Sequence, residues 1–180
     1  MHLNIGPMFL DLFKTWGLLL KILIPILLLG LLYRIILNIP TWIISYRAKT
    51  AGVDQVDSMS GKMFEVWLEH QFNKAGYTVR RTQYQRDHGA DLIVTSLNGT
   101  KFAVQAKQLS KRKNRVGAKA LGEVLRGKKY YKCDEAIMVT NQDYTQQAKD
   151  EARKIGIKLM GRKELIEFVE KTQEKHGIIN

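Results

Sequence analysis

Apolar and polar positions divide the chain into two parts with different periods. Residues 16–39 read WGLLLKILIPILLLGLLYRIILNI, and their only charges, Lys21 and Arg34, lie near the two ends. Roughly 20 apolar residues let a helix cross a bilayer, so this stretch predicts a transmembrane helix over about 16–39. Both long cations can snorkel to the headgroups, and Trp16, Tyr33 and Trp42 fall where an aromatic belt would lie. Pro25 is expected to bend the helix only. The stretch exceeds the core of a signal peptide, and no small-residue cleavage pattern follows Pro40-Thr41-Trp42. An uncleaved anchor over residues 1–46 is therefore expected.

Residues 47–57 carry no apolar period and read as a linker. From residue 58 the pattern alternates. Phe64, Trp67, Leu68, Gln71, Phe72 and Ala75 recur at helical spacing, and the run opens with Ser and Gly and stops at Gly76. Strand-like runs follow at 77–83, 90–96, 101–107 and 135–140, with helical stretches near 117–131, 144–155 and 162–172. This predicts an α/β domain over 58–172 with a mixed central sheet flanked by helices, and a tail over 173–180.

Charge adds a partner to this picture. The formal net charge is +12; residues 1–49 hold five Lys/Arg and one acid, which leaves 24 basic and 16 acidic residues beyond them. Within residues 107–132 there are ten Lys/Arg, and Glu123 is the sole acid. So dense a run points to a polyanion rather than to an ordinary solvated face. An anionic membrane surface would also attract it, but the run starts about seventy residues after the apolar segment. Nucleic acid is the expected partner. Cys133 is the sole cysteine, which excludes a disulfide framework or a Cys-rich zinc site within one chain. Lys14 lies on one side of the apolar segment, and Arg34, Arg47 and Lys49 on the other. That balance places the carboxy-terminal domain in the cytoplasm.

The chemistry concentrates in Asp91-Leu92-Ile93-Val94, the turn at Asn98-Gly99, and Val104-Gln105-Ala106-Lys107. This arrangement resembles the PD-(D/E)XK nuclease core, with Gln105 standing where the general pattern has an acid. The Mrr-like restriction endonucleases are the subgroup in which that QXK form is expected. Further matches to that family are Gly61-Lys62-Met63-Phe64-Glu65, Gly76-Tyr77, Asp87-His88-Gly89-Ala90-Asp91, Val116-Gly117 and Val139-Thr140, which together cover residues 58–166. The resemblance implies a restriction-endonuclease-like fold, Mg²⁺ or Mn²⁺ as cofactor and DNA as substrate, and it is compatible with a homodimer.

Elementary chemistry agrees. Phosphodiester hydrolysis wants hard oxygen ligands for the cation and a positive group beside the attacking water. Gln105 and Lys107 are two residues apart, so a strand presents them on one face, while Ala106 points to the other. Asp91 and Glu65 are the expected carboxylate ligands, Gln105 a neutral ligand or orienter, and Lys107 the group that activates water and stabilises the transition state. Glu65 borders the apolar stripe of its helix, whereas Glu69 lies further towards water. Lys111, Arg112, Lys113, Arg115 and Lys119 are expected to grip backbone phosphates. His88 and Asp87 read as loop residues.

Register is also readable. A three-residue loop, Leu97-Asn98-Gly99 with Gly99 left-handed, sets Asp91 opposite Gln105 and pairs Leu92 with Val104 and Val94 with Phe102. A two-residue hairpin would turn Asp91 to the wrong face. The expected function is a membrane-anchored, metal-dependent DNA endonuclease acting in restriction or defence. Its rivals are a non-catalytic DNA tether with a nuclease-like fold, and a domain outside the cell that meets incoming DNA.

Overall fold

The structure is a computed structural model that describes residues 6–82, 88–110 and 114–177. The chain divides into two compact units, residues 1–43 and 44–180. The first is formed by most of helix α1 (Gly6–Thr50). Within it Leu19–Leu37 has a mean hydropathy of 2.3 and no buried residue, so this segment is long and apolar enough to cross a membrane by length and composition. The helix is longer than the predicted span at both ends.

The second unit is the α/β domain expected from the sequence. Strands β1 (Thr78–Arg81), β2 (Leu92–Thr95), β3 (Lys101–Lys107), β5 (Glu135–Thr140) and β7 (Ile157–Met160) form a sheet in the order β1-β2-β3-β5-β7. The first three run antiparallel to their neighbours and the last three run parallel. A separate parallel pair joins β4 (Arg115–Val116) to β6 (Asp143–Tyr144). Helices α2 (Gly61–Lys74), α3 (Leu121–Tyr130), α4 (Gln146–Ile155) and α5 (Arg162–Gly177) complete the unit. Most of the stretch read as a carboxy-terminal tail continues α5. The turn at 156, where Gly156 is left-handed, allows β7 to follow α4 directly. That short strand and the β4–β6 pair were not expected.

Strand alternation feeds two cores. Leu92, Val94 and Val104 pack with Phe64, Trp67, Leu68 and Phe72 of α2 and with Leu165 and Val169 of α5. Ile93, Ala103, Ala136 and Met138 pack on the opposite face with Leu121 and Val124 of α3 and Ala148 and Ala152 of α4. Completely burying a side chain of this size contributes about 1.5–3 kcal/mol, so both helical layers are held firmly. The ends of α2 follow its sequence signals. The Ser60 hydroxyl accepts from Met63 N at 3.2 Å, and Gly76, at φ 93°, lets Tyr77 N donate to Phe72 O at 3.1 Å.

Residues 51–59, most of the stretch read as linker, belong to this packed unit. A 3-10 turn spans Val53–Ser58, Val56 and Met59 are buried, and Trp67 Nε1 donates to Ala51 O at 3.0 Å. Asp57 fixes the turn to the far end of β5. Its Oδ1 accepts from Arg162 Nη1 at 2.7 Å, Asn141 Nδ2 at 2.9 Å and Gln142 Nε2 at 3.2 Å. Asn141 in turn holds both backbone groups of Leu109, two residues past the end of β3.

Candidate active site

The β2–β3 register is the one expected from the hydrophobic pattern. Leu92 pairs with Val104 and Val94 with Phe102, and the connecting turn closes through Gly99 N to Ser96 O at 2.9 Å with Gly99 at φ 86°. Asp91 enters β2 one residue before the paired strand. Its backbone is fixed on both sides, because Asp91 N donates to Val104 O at 2.8 Å and Thr82 N donates to Asp91 O at 2.9 Å. The Thr82 hydroxyl adds a bond to Ala90 O at 2.6 Å.

The register brings Asp91 and Gln105 onto one face. Asp91 Oδ2 accepts from Gln105 Nε2 at 2.6 Å and from Ala106 N at 2.7 Å. Gln105 is 4% exposed, and its Oε1 is buried with no hydrogen-bond partner among the described residues. A buried acceptor left without a donor costs about 1–3 kcal/mol, so this oxygen has a standing demand for a cation or a donor. Ala106 packs towards the opposite core, as strand alternation requires.

These residues line a cleft of about 670 Å³ with Lys62, Glu65, Arg81, Thr82 and Lys107. The amino-terminal turns of α2 bring Lys62 and Glu65 to it, and the end of β3 brings Lys107. Glu69 does not line it, and its carboxylate pairs with Arg81 Nε at 2.9 Å. From the other side, Glu123 in the first turn of α3 reaches Lys107 Nζ at 2.5 Å. Sequence reading missed this pairing; the isolation of Glu123 within the basic run was the available signal.

Loop 88–90 packs tightly on α3. A Cβ added to Gly89, at φ 95°, would lie 2.0 Å from Glu123 O, and one added to Gly127 would lie 2.6 Å from Gly89 O. His88 stacks on Tyr130 with ring centroids 3.7 Å apart, so its ring serves the packing of this loop. Asp87 lies outside the described residues.

The groups near Asp91 offer hard oxygens, and the Gln105 amide bonded to the Asp91 carboxylate through its nitrogen carries the unpartnered Oε1. That set fits a magnesium-type ion better than a soft one. Among the described residues, no three Asp, Glu, His or Cys side chains gather at one point. An ion here would depend on the amide, on backbone oxygen and on substrate or water for its remaining ligands.

Of the expected phosphate contacts, Lys111, Arg112 and Lys113 lie outside the described residues. Lys119 is exposed in the 3-10 turn Ala118–Ala120. Arg115 lines a different cleft, of about 850 Å³, with Lys149, Arg162 and Lys163. In that second cleft the Lys149 ammonium, bonded to Asp143, holds the Asp143 carboxyl below its ordinary value.

A mixed sheet flanked by helices thus brings Asp91 beside Gln105, with Lys107 two residues further along the same strand. The restriction endonuclease model Mrr_cat matches residues 56–169, and the chain belongs to that family. Among solved structures the domain is similar to the DNA modification-dependent restriction endonuclease AspBHI, at 17% identity and a TM-score of 0.51, over 70% of this chain and 36% of that one. It is also similar to a repair endonuclease from Pyrococcus abyssi, at 16% identity and a TM-score of 0.42, over 57% and 47% of the two chains. A protein of unknown function, AF1548, matches at 16% identity and a TM-score of 0.46, over 52% and 54%. The chain thus spans about half or less of the length of these proteins, and the likeness to AspBHI is one of fold. No curated protein matches the chain.

Proposed function

We propose that this chain is a metal-dependent endonuclease that hydrolyses DNA phosphodiester bonds, held at a membrane by α1 and acting in restriction or defence. The observation that carries the reading is the Gln105 amide, whose nitrogen donates to the Asp91 carboxylate and whose Oε1 is buried without a partner among the described residues, in a cleft that Glu65 and Lys107 also line. Asp91, Gln105 and Glu65 would hold Mg²⁺ or Mn²⁺. When bound, the ion supplies Lewis-acid polarisation of the phosphate.

The chain's own groups do the rest. The Gln105 amide and the Ala106 N–H together fix one oxygen of Asp91, which orients the carboxylate before substrate arrives. The Lys107 ammonium lies on the same strand face and stabilises the charge that grows on the phosphate oxygens. Lys62 and Arg81 at the rim favour the approach of a polyanion. Lys111, Arg112, Lys113, Arg115 and Lys119 add backbone grip without reading sequence. The apolar Leu19–Leu37 segment supports the anchor, and the flanking cations support a cytoplasmic nuclease domain.

The rival reading is a DNA tether without catalysis, which the lack of a three-carboxylate cluster among the described residues favours. Incubation of the full chain in detergent micelles with supercoiled plasmid separates the two. Nicking or linearisation that needs Mg²⁺ or Mn²⁺ and disappears with a chelator is expected. Plasmid retardation with no strand breakage under any divalent ion would establish the tether instead.

A further inference from the structure

We infer that Glu123 is a positioning residue for Lys107, so that the charge absent at Gln105 is supplied to the site from helix α3. This rests on the endonuclease reading and extends it to a residue outside the strand pair. Lys107 is the charged member of the QXK strand, yet the position two residues before it on the same face is an amide already bonded to Asp91. The carboxylate that meets the ammonium comes instead from Glu123, at 2.5 Å. The side chains of Lys107 and Glu123 are 34% and 39% exposed, so the contact lies near the surface, beside the cleft that Lys107 lines, rather than in the core.

Glu123 is also tied to the other half of the site. Its backbone carbonyl abuts Gly89, two residues before Asp91, at a distance that leaves no room for a Cβ. One residue of α3 therefore sets the loop that delivers Asp91 and, through its side chain, the direction of Lys107. A flexible four-carbon stem has many rotamers, and the Glu123 carboxylate restricts them to those with the ammonium at the start of α3, next to the cleft that Lys107 lines.

A merely structural salt bridge and a positioning residue give different kinetics. Glu123 places a negative charge beside a site that must admit a polyanion, so its removal favours DNA binding while it releases Lys107. The test uses the full chain in micelles, with Glu123→Gln, Glu123→Asp and Glu123→Ala, each also made on Lys107→Ala. For Glu123→Gln, kcat should fall about tenfold to a hundredfold, the scale of losing orientation at a reacting group. KM for DNA should stay level or fall. Glu123→Asp should recover most of kcat, and neither Gln nor Ala should have a further effect once Lys107 is gone.

A second measurement does not use activity. Reductive methylation of Lys107, followed by mass spectrometry without metal or DNA, should run several-fold faster in Glu123→Gln. Wild-type kcat together with unchanged methylation in Glu123→Gln would overturn the inference. So would an equal loss of kcat on the Lys107→Ala background. If Glu123→Ala fails to fold, the isosteric Gln variant decides. A wild-type chain that cleaves no DNA would defeat the endonuclease reading instead, and the methylation rates would still report on the pairing.

Discussion

Gln105 donates its amide to the Asp91 carboxylate at 2.6 Å across the β2–β3 pair, while its own oxygen is left without a partner. Replacing that amide by a carboxylate in Gln105→Glu would set two negative groups against each other and remove one of the two donors to Asp91. Without divalent ions the variant should lose about 1–3 kcal/mol of stability, the cost of losing a hydrogen bond to a charged group. With Mg²⁺ it should recover more stability than the wild type gains. Thermal melts with and without the ion check this, and an equal response of both proteins would count against an ion at this position.

Asp91→Ala is expected to abolish plasmid cleavage and Lys107→Ala to cut it to a small but measurable residual rate, with DNA binding largely intact in both. Both side chains line the small cleft, and the grip is assigned to the basic run. Gel retardation beside a cleavage assay measures the two properties separately. Undiminished cleavage by either variant would contradict the site.

Neutralising Lys111, Arg112 and Lys113 together should weaken DNA binding and flatten its salt dependence, by about one unit of slope for each phosphate left without its cation. Arg115→Ala should change the slope less if DNA follows the Asp91 cleft, because Arg115 faces the cleft shared with Lys149 and Arg162. Titrations at several salt concentrations give the slopes directly.

The Asp57 carboxylate accepts from three side chains and pins the 3-10 turn to β5 and α5. Asp57→Ala leaves the Arg162 cation without its carboxylate and strips a partner from Asn141 and Gln142. A loss of about 2–4 kcal/mol is expected, because both partners of the ion pair are partly shielded and one would be left unpaired. Urea unfolding measures it, and a change below about 0.5 kcal/mol, the usual range for an open surface position, would show the network to be idle.

The Tyr144 hydroxyl donates to Met138 O at 2.7 Å, and burial pushes its pKa well above the ordinary tyrosine value. In the unfolded chain the phenol ionises near pH 10, whereas in the folded chain it stays protonated. The folded state then holds more protons than the unfolded one, so stability falls as pH rises through that value. Below it the contribution is complete. Tyr144→Phe should lose about 1 kcal/mol at neutral pH and show a shallower decline in alkali, as read by urea midpoints from pH 8 to 11.

The strand pair was legible in the sequence because two independent signals agreed. Gly99 fixes the turn, and the pairing of Leu92 with Val104 keeps apolar side chains on one face, so Asp91 had to meet Gln105. Helix α2 was legible through its apolar spacing, Ser60 and Gly76. Residues 51–59 were not, because Ala51, Val56 and Met59 bury apolar surface at no regular period. Strand β7 follows α4 across the single residue Gly156, with no cluster of turn residues to mark a new element. The Lys107–Glu123 pair joins a strand to a helix sixteen residues further on, and local spacing carries no information about it. In the sequence Glu123 was visible only as the sole acid in a run of cations, and its place beside Lys107 came from the fold.

The back-to-back approach of Gly89 and Gly127 makes the spacing between α3 and the loop before β2 a matter of hydrogen atoms rather than carbon atoms. A methyl group at either position would meet backbone at 2.0–2.6 Å. The helix would have to move off by about an ångström to reach an ordinary carbon separation. That displacement would carry Glu123 away from Lys107 and loosen the loop that delivers Asp91, so an alanine in place of either glycine would detune both strands of the site at once. Among the described glycines, the tightest tolerances thus fall at two residues that bear no functional group.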